Sequence, residues 1–350
     1  MRIFVHEFVT GGGFSGRSVP ASLAREGLAM RTALLADLAA IGRHEIVTTT
    51  DVRFATAAPP GVDVVTIQPG ATSAFDSLLS STDAVWLVAP ETDRCLERLA
   101  ARVERKGRIL LGSGATVIRR ASDKAGLPRR LARIGVRHPE TMTIDSGVDS
   151  RMAARELGYP VVLKPRRGAG SRGVHLAHNE RELNSALAAL QHLGVGLGTM
   201  SEGQVDREVV MQCYIGGTPA SVSLLADGHR AVALAVNAQR MITTAGFSYR
   251  GGRTPFDHPL ATEAVHAAIR TCMALPGLRG YVGVDLVLTD AGPVVIEVNP
   301  RLTTAYLGVR AVLDENVPEL ALAACAGTLP QQPIARRCVR FTASGLVAAA

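Results

Sequence analysis

The sequence predicts an α/β protein whose first 112 residues form a mostly parallel sheet. Short apolar runs alternate there with segments of helical periodicity, and this alternation favours parallel strands covered by helices on both faces. Of the 350 residues, 47% are hydrophobic and 20% are charged. This composition supplies a sizeable core and excludes a disordered protein. A chain of this length is expected to form two domains, or one with a large elaboration.

The elements of this first part follow in order along the chain. An apolar run before the glycines Gly11–Gly13 predicts a strand at residues 2–9, and leucines at helical spacing predict a helix at 20–40. Further strands are predicted at 45–49, 62–67, 84–89 and 108–111, with a helix at 93–105. The glycines around Ser113 mark the end of this unit.

The rest of the chain has a different pattern of predicted elements, with longer strands and a hairpin. Helices are predicted at residues 122–134, 149–157, 180–193 and 262–273, and strands at 161–164, 174–177, 208–215, 220–225 and 231–239. Residues 194–203 are rich in glycine and are predicted to be mobile. Strands at 282–289 and 293–298 are expected to form a hairpin about Asp290-Ala291-Gly292, because Asp and Gly favour turns.

Composition also excludes several classes of partner. The net charge is +7, but no block of five basic residues occurs and aromatics make up only 4%, so nucleic-acid binding is not expected. No apolar run approaches the roughly 18 residues of a spanning helix, so no membrane contact is expected. Five scattered cysteines without a CxxC pair indicate neither a disulfide framework nor a zinc site. The N-terminus lacks a signal-peptide core, so the cytoplasm is the expected location.

An acidic group late in the chain is the strongest chemical pattern. Side chains alternate along a strand, so Glu297 and Asn299 are expected on one face, and the facing hairpin strand brings Asp285 alongside them. Three oxygen ligands without sulfur or imidazole suit Mg²⁺, with Mn²⁺ as the alternative. A solvated face of an amphipathic hairpin is the other interpretation, although apolar residues on both sides of these acids weigh against it.

A lysine followed by glycines is the second pattern. Of the 38 basic residues only three are lysine, and one of them, Lys164, ends an apolar strand. The glycine-rich residues 168–173 follow, and their backbone N–H groups suit a phosphate. They satisfy G-x-G-x-x-G, but a strand-like segment follows instead of a helix, so a dinucleotide fingerprint is excluded. Alone, this motif is weak, and an ordinary turn remains the alternative.

Taken in order, these parts resemble the ATP-grasp superfamily over residues 113–310. The resemblance implies an ATP-grasp fold of α/β (α+β) class with an N-terminal Rossmann-like pre-ATP-grasp domain. It implies a pre-ATP-grasp domain at residues 1–112, a lid subdomain with flanking helices at 113–205, and a C-terminal subdomain with the metal site at 206–350. One departure concerns Pro219, which stands where many members have a glutamate for the ribose hydroxyls.

The resemblance also implies roles for individual residues. The metal is assigned to Asp285, Glu297 and Asn299. ATP is assigned to two lysines, the glycine loop and the hinge strand: Lys124, Lys164, Gly168, Gly170, Ser171, Gly173, Gln212, Tyr214 and Ile215.

Several phrases, among them Asn237-Ala238-Gln239, Tyr249-Arg250-Gly251-Gly252 and the stretch from Ser22 to Met30, are similar to the tyramine–L-glutamate ligase family of methanofuran biosynthesis. The implied reaction joins a small carboxylate to a small amine through an acyl-phosphate, with Lys164 and Arg301 as catalytic candidates. A surface salt bridge is the alternative for Arg301. A kinase and a non-catalytic nucleotide-binding protein are the alternative functions, and a homo-oligomer is left open.

Four residues are weaker candidates for substrate contact. They are Glu7, Gly12, Arg240 and Arg250. Glu7 has a core-edge or helix-capping role as its alternative, Gly12 a plain strand-to-helix turn, and the two arginines a solvated loop.

Overall fold

The protein was analysed as a computed structural model that describes residues 1–68, 74–145, 148–193, 208–243 and 246–350. These ranges contain three β-sheets, of five, four and seven strands. The glycine-rich stretch 194–203, predicted to be mobile, lies outside the described residues. Within the described ranges, no helix combines the length and the apolar character needed to span a membrane.

The first sheet is parallel, with strand order β3-β2-β1-β4-β5. Its strands are β1 (Arg2–Glu7), β2 (Glu45–Asp51), β3 (Val62–Ile67), β4 (Ala84–Val88) and β5 (Ile109–Leu110), and its helices are α1 (Ala21–Ile41), α2 (Ala74–Ser81) and α3 (Cys95–Arg105). Ile3 and Val5 pack with Leu34 of α1 on one face, whereas Phe4 packs with Leu79 of α2 on the other. The predicted parallel sheet with helices on both faces is confirmed.

Two short helices connect this sheet to the rest: α4 (Ala115–Ala121) and α5 (Gly126–Arg133). The prediction of one helix from residue 122 to 134 is therefore wrong at its beginning. The Asp123 carboxylate accepts the Ala125 N–H at 3.1 Å, and the Lys124 N–H donates to the Arg166 carbonyl at 3.1 Å. These bonds hold residues 122–125 in a turn, because both backbone donors have partners outside a helix.

The four-stranded sheet is antiparallel and has the order β6-β9-β7-β8. Its strands are β6 (Thr141–Ile144), β7 (Val161–Pro165), β8 (His175–Ala177) and β9 (Val209–Cys213), covered by α6 (Ser150–Leu157) and α7 (Glu180–His192). The Asn179 side chain accepts the Glu182 N–H and so caps the beginning of α7, while Glu182 accepts the N–H of the preceding residue, His178. The predicted division at residue 205 stays a prediction, and β9 pairs within this small sheet.

The seven-stranded antiparallel sheet has the order β14-β13-β10-β11-β12-β15-β16. Its strands are β10 (Thr218–Asp227), β11 (Ala231–Ile242), β12 (Ser248–Thr254), β13 (Arg279–Thr289), β14 (Gly292–Asn299), β15 (Val339–Thr342) and β16 (Val347–Ala349), and its helices are α8 (Ala261–Met273), α9 (Tyr306–Val312) and α10 (Val317–Cys325). The expected hairpin is present, because Thr289 pairs with Gly292 across a two-residue turn, and Gly292 adopts a φ of +108° that favours glycine.

One hydrophobic core connects the first sheet with the seven-stranded sheet. Val5 of β1 and Leu34 of α1 belong to the same buried cluster as Leu234 of β11, Tyr281 of β13 and Val309 of α9. The other face of the seven-stranded sheet packs against α8. This shared core brings the carboxyl ends of the parallel strands close to β13 and β14.

Candidate active site

The hairpin of β13 and β14 places two carboxylates side by side. Asp285 is registered directly opposite Glu297, and Asn299 lies two residues further along on the same face. The Asn299 Nδ2 donates to Asp285 Oδ2 at 3.0 Å, and Gln239 Nε2 donates to Asp285 Oδ1 at 2.8 Å. Two amide groups therefore fix the orientation of the Asp285 carboxylate.

The two carboxylates respond to their surroundings in opposite ways. Burial and the neighbouring Glu297 raise the pKa of Asp285 above its ordinary value. Burial alone would raise the pKa of Glu297 too, but Lys124 and Lys164 hold it well below its ordinary value. The pair thus combines a firmly ionised carboxylate with one whose ionisation is opposed, an arrangement that an added cation would stabilise.

Lys124 reaches this pair from the turn between α4 and α5. Its Nζ lies 3.2 Å from Glu297 Oε2 and donates to the Gly168 carbonyl at 2.8 Å. The Arg166 guanidinium donates to both oxygens of Asp123, at 2.7 and 2.8 Å, and so ties this turn to the end of β7. The turn that replaces the expected helix is therefore what aims Lys124 at the acidic pair.

Lys164 lies on β7 and is only 4% exposed. Burial lowers the pKa of its ammonium to about 8, and repulsion from Lys124 adds to the effect, although Glu297 and Asp285 oppose it. Two ammonium groups thus share one site whose carboxylates neutralise them only in part. An anionic ligand at this point would relieve their repulsion.

The glycine loop, residues 168–173, follows β7, and its Gly168 carbonyl accepts the hydrogen bond from Lys124. Gly170, Ser171 and Gly173 have φ values of +68°, +60° and +73°, and this backbone conformation strains a non-glycine residue such as Ser171. The Ala169 N–H donates to Thr92 Oγ1 at 3.1 Å. Because Thr92 follows β4 of the first sheet, the glycine loop is fixed to the first sheet as well as to Lys124.

A cavity of about 280 Å³ lies between the small sheet, the hairpin and α1. The predicted residues that line it are Lys124, Lys164, Gly168, Gly170, Ser171, Gln212, Tyr214, Ile215, Asp285, Glu297, Asn299 and Arg301. Pro219 lines it too, at the position where a ribose-binding glutamate was expected. Gly173 is not among the lining residues; a Cβ there would lie 3.1 Å from Pro165 and 3.3 Å from Leu190, so its position serves packing.

Arg301 is partly buried against the first sheet and is not an exposed surface residue. Its Nε and Nη2 each donate to a Glu91 carboxylate oxygen at 2.9 Å, and Nη1 donates to the Leu302 carbonyl at 3.1 Å. The side chains of Arg301 and Glu91 are 14% and 3% exposed. Glu91 raises the pKa of the guanidinium despite its burial, so the arginine remains charged beside the cavity.

The four weaker substrate candidates are not among the residues that line this cavity. Glu7 is 1% exposed, and its carboxylate accepts the Val9 N–H at 3.0 Å, the Thr10 N–H at 2.7 Å and the Thr10 hydroxyl at 2.6 Å. It therefore holds the turn after β1. Gly12 supplies a φ of +103° in that turn, and Arg240 and Arg250 are exposed.

Several cavity residues were not selected from the sequence. They are Glu26, Ser221, Gln239, Met241, Tyr249, Thr303 and Thr304. Glu26, Gln239 and Tyr249 fall within phrases quoted for their family similarity, so the similarity marked the right segments without assigning chemistry to them. No local pattern distinguishes Thr92 or Glu91, because their partners lie 77 and 210 residues away in the chain.

The donor set fits a hard divalent cation. Asp285 and Glu297 offer carboxylate oxygens, and Asn299 offers an amide oxygen. The set contains only two acids, and the described ranges contain no group of three His, Cys, Asp or Glu side chains placed to hold a metal ion. Mg²⁺ is commonly held by one or two carboxylates together with waters and substrate phosphates. The raised pKa of Asp285, whose ionisation its carboxylate neighbour opposes, is the observation that favours a cation here.

One cavity therefore brings together two lysines, a glycine loop on a small antiparallel sheet and opposed acids on a hairpin. This is the arrangement that the resemblance to the ATP-grasp superfamily implies. Comparison with known families agrees with this geometry. A family model described as an ATP-grasp domain matches residues 121–305, and one described as a pre ATP-grasp 3 domain matches residues 44–118. The first match covers more than half of the chain. The chain belongs to the ATP-grasp family.

Three relatives indicate the range of similarity. Tyramine–L-glutamate ligase of Methanocaldococcus jannaschii is 36% identical over 105 residues, which are 30% of this chain and 33% of that protein. Human carnosine synthase 1 is 30% identical over 174 residues, 47% of this chain and 20% of that protein. A crystal structure described as a putative ATP-grasp superfamily protein from Archaeoglobus fulgidus aligns with a TM-score of 0.66 at 26% identity, covering 97% of this chain and 92% of that one. The chain spans well under two thirds of the length of the two curated relatives.

Proposed function

We propose that this chain is an ATP-dependent ligase that joins a carboxylate to an amine through an acyl-phosphate. The observation that carries the proposal is the convergence of two buried ammonium groups, Lys124 and Lys164, with the opposed carboxylates Asp285 and Glu297 at one cavity. Positive charge for a triphosphate and acidic oxygens for its counter-ion are the parts that phosphoryl transfer requires.

Each wall of the cavity has a role in holding ATP. Gln212, Tyr214 and Ile215 line the end nearest the small sheet, where the adenine would lie. The two lysines would hold the α- and β-phosphates, and the glycine loop would cover the γ-phosphate with its backbone N–H groups. Asp285, Glu297 and Asn299 would hold Mg²⁺, which when bound neutralises charge on the β- and γ-phosphate oxygens.

The proposed reaction has two steps. An oxygen of the substrate carboxylate attacks the γ-phosphorus, and the bond between that phosphorus and the β-phosphate oxygen breaks. The products of this step are ADP and an acyl-phosphate. The nitrogen of the neutral amine attacks the acyl carbon, inorganic phosphate leaves, and the amine loses one proton as the amide forms. The glycine loop, held by Thr92 and Lys124, would keep out the water that competes with the amine.

Arg301 is proposed to bind the carboxylate or the acyl-phosphate. Its bonds to Glu91 and to the Leu302 carbonyl fix the guanidinium at the cavity wall. A preorganised planar guanidinium stabilises charge that develops on oxygen, because no reorganisation is needed during the reaction. Glu91 would be the positioning residue for this arginine.

The substrate pair is proposed from the relatives. One is named tyramine–L-glutamate ligase and another carnosine synthase, so glutamate with tyramine, tyrosine or a similar amine is the first pair to examine. Such an amide would belong to the biosynthesis of a methanofuran-type cofactor. The cavity combines an apolar lining with a few charged side chains, so a small substrate with charged groups could pair with them.

The direct test is product analysis with ATP, Mg²⁺, L-glutamate and a panel of amines that begins with tyramine and tyrosine. We expect ADP and inorganic phosphate to be released only when both substrates are present, together with an amide detected by mass spectrometry. Release of AMP and pyrophosphate would contradict an acyl-phosphate route.

The same assay separates the alternative functions. A kinase would transfer phosphate to an acceptor with no amine present, and the phosphorylated acceptor would persist. A nucleotide-binding protein without turnover would bind ATP, measured by calorimetry, and release no ADP with any substrate pair. Pro219, which offers no side-chain acceptor to a ribose, is the residue that favours this last alternative.

A further inference from the structure

A third acidic side chain lines the cavity, apart from the pair assigned to the metal. Glu26 belongs to α1, in the first part of the chain, and its side chain lines the same cavity as Asp285. The hydroxyl of Thr304, just before α9, donates to Glu26 Oε1. This bond fixes the carboxylate at the junction between the first unit and the seven-stranded sheet.

Among the residues that the structure describes, Glu26 has no basic partner at contact distance. Across residues 1–68, 74–145, 148–193, 208–243 and 246–350, no lysine, arginine or histidine nitrogen lies within ion-pair distance of its oxygens. Glu26 is one of the acids that raise the pKa of Arg301, but the Arg301 guanidinium is bound to both oxygens of Glu91. A carboxylate held at a cavity wall without a cation is placed to receive one from a ligand.

Tyr249 lines the same cavity as Glu26 and Asp285. Burial first, and then Asp285 and Glu26, raise the pKa of its phenol well above the ordinary value, so the hydroxyl stays protonated. A neutral phenol in the same cavity as Glu26 offers a hydrogen bond and an aromatic face without adding a competing charge. An organic ammonium group could therefore use both side chains.

We propose that Glu26, positioned by Thr304 in the cavity that Tyr249 also lines, binds a primary ammonium group of a substrate. This inference rests on the proposed ligase function and deepens it, since it assigns the recognition of one substrate group to a residue of the first unit. Two sources carry this chemistry: the α-ammonium of an amino-acid carboxylate donor, and the amine that becomes acylated, which binds as an ammonium and gives up one proton to the Glu26 carboxylate or to water before its nitrogen attacks.

The test compares the wild-type protein with Glu26→Gln, which keeps the shape and removes the charge. Acids with and without an α-amino group, L-glutamate and glutarate first, are assayed for ADP release with hydroxylamine as the trapping nucleophile, and the full reaction is then assayed against amine concentration. Calorimetric titration with the Mg²⁺ complex of a non-hydrolysable ATP analogue reports nucleotide binding separately. Glu263→Gln, at an exposed position on α8, is the matched control.

If the ammonium belongs to the acid, Glu26→Gln should raise KM for L-glutamate about 30-fold in the trapping reaction, because one charge-assisted hydrogen bond is lost. KM for glutarate, which has no ammonium group, should stay within about 2-fold of the wild-type value. If the ammonium belongs to the amine, the trapping reaction should be unchanged and KM for the amine should rise by a similar factor. Thr304→Val should shift the same constant in the same direction by a smaller factor. Either pattern supports the proposal.

Two results would overturn it. Glu26→Gln could match the wild type with every acid and amine, or it could lose nucleotide binding and all substrates equally, as a purely structural residue would. Failure of the ligase proposal looks different, because the wild-type protein itself would then release no ADP with any acid, amine or hydroxylamine.

Discussion

Two charged clusters join distant parts of this chain, and their electrostatic designs differ. The α1–α9 cluster consists of Asp37 on α1 with Tyr306, Arg310 and Asn316. The Arg310 Nε donates to Asp37 Oδ2 at 2.6 Å, the Tyr306 hydroxyl donates to the same carboxylate, and Asn316 Nδ2 donates to the Asp37 carbonyl at 2.8 Å. One acid meets one base, and the bond to Asp37 raises the pKa of Arg310 further above its ordinary value.

The cavity cluster consists of Asp285, Glu297, Lys124 and Lys164 and brings like charges together. Glu297 contributes to the raised pKa of Asp285, and Lys124 contributes to the lowered pKa of Lys164, although opposite charges are also within reach. Each shift opposes the charged form of the group, so each costs folding free energy near neutral pH. The structure tolerates this cost where a nucleotide and its metal ion would relieve it.

The difference teaches how to distinguish a structural ion pair from a functional one. Where each charge has its opposite and its hydrogen bonds, as in the α1–α9 cluster, removal of one partner should affect stability. Where like charges are kept close, as in the cavity cluster, removal of one should affect ligand binding and turnover more than stability.

The largest effect is expected for Glu297→Gln. Without this charge the site loses a metal ligand and the partner of Lys124, so kcat for ADP release should fall at least about 1000-fold. The melting temperature should change little, because the lost ion pair with Lys124 is offset by the removal of repulsion with Asp285. Turnover assays and a thermal melt measure the two quantities.

The control for this variant is Asp290→Asn, which makes the same carboxylate-to-amide change at the exposed turn of the same hairpin. Both kcat and the melting temperature of this variant should equal those of the wild-type protein. A large stability loss in Glu297→Gln, or turnover within about tenfold of the wild type, would remove the distinction between the two clusters.

The opposite behaviour is expected for Asp37→Asn. The variant leaves the partly buried Arg310 without its counter-charge, so the free energy of unfolding should fall by about 2 kcal/mol, measured by urea denaturation. Nucleotide affinity should stay unchanged. The double variant Asp37→Asn with Arg310→Met should recover part of the loss, because no unpaired charge then remains; a double variant as unstable as the sum of both single changes would show that the two residues are not coupled.

The hairpin shows how far the sequence could lead. Alternation along residues 293–298, together with a turn predicted about Asp290-Ala291-Gly292, correctly predicted that Asp285 would lie beside Glu297. Both patterns are local, with a period of two residues and a turn that fixes the register. The parallel first sheet was predicted for the same reason, from apolar runs that alternate with helical segments.

What the sequence could not provide depends on contacts between distant residues. The turn that carries Lys124 was expected to be helical, and it is held open by Asp123 and Arg166, which lie 43 residues apart. The bond from Arg301 to Glu91 spans 210 residues. The sequence therefore suggested that Arg301 matters without indicating what positions it.

A moderate effect is expected from pH, through Lys164. In the free protein its pKa is lowered to about 8 from an ordinary value of 10.5, so the ammonium fraction falls as pH rises through about 8. Because the proposed role of Lys164 at the phosphates needs the charged form, affinity for ADP should weaken above pH 8, by up to about tenfold per pH unit. Calorimetry in buffers of different ionisation enthalpy should also show proton uptake on binding near pH 8.

Lys164→Arg tests the assignment, because a guanidinium keeps its charge across this range. Its affinity for ADP should be nearly independent of pH between 7 and about 9.5. If the wild type and this variant lose affinity in parallel, another group is responsible, and the electrostatic description of the cavity cluster is wrong.

The smallest effect is expected for the contact between the first sheet and the glycine loop. Thr92 Oγ1 accepts the Ala169 N–H at 3.1 Å, and the two residues after it, Asp93 and Arg94, have φ values of +53° and +55°. Such backbone strain is retained where surrounding structure determines the conformation, which suggests that this loop is shaped to hold Thr92 against the glycine loop. Thr92→Val keeps the shape and removes the acceptor, so KM for ATP should rise about 3- to 5-fold.

Thr92→Ser keeps the hydroxyl and should behave as the wild type. The contact joins neutral groups and lies outside both charged clusters, so neither variant should change the melting temperature by more than about 2 °C. An unchanged KM in Thr92→Val would mean that the lysines and phosphates alone hold the glycine loop. A rise in KM that Thr92→Ser does not share would instead show that the first sheet takes part in nucleotide binding through a single hydroxyl group.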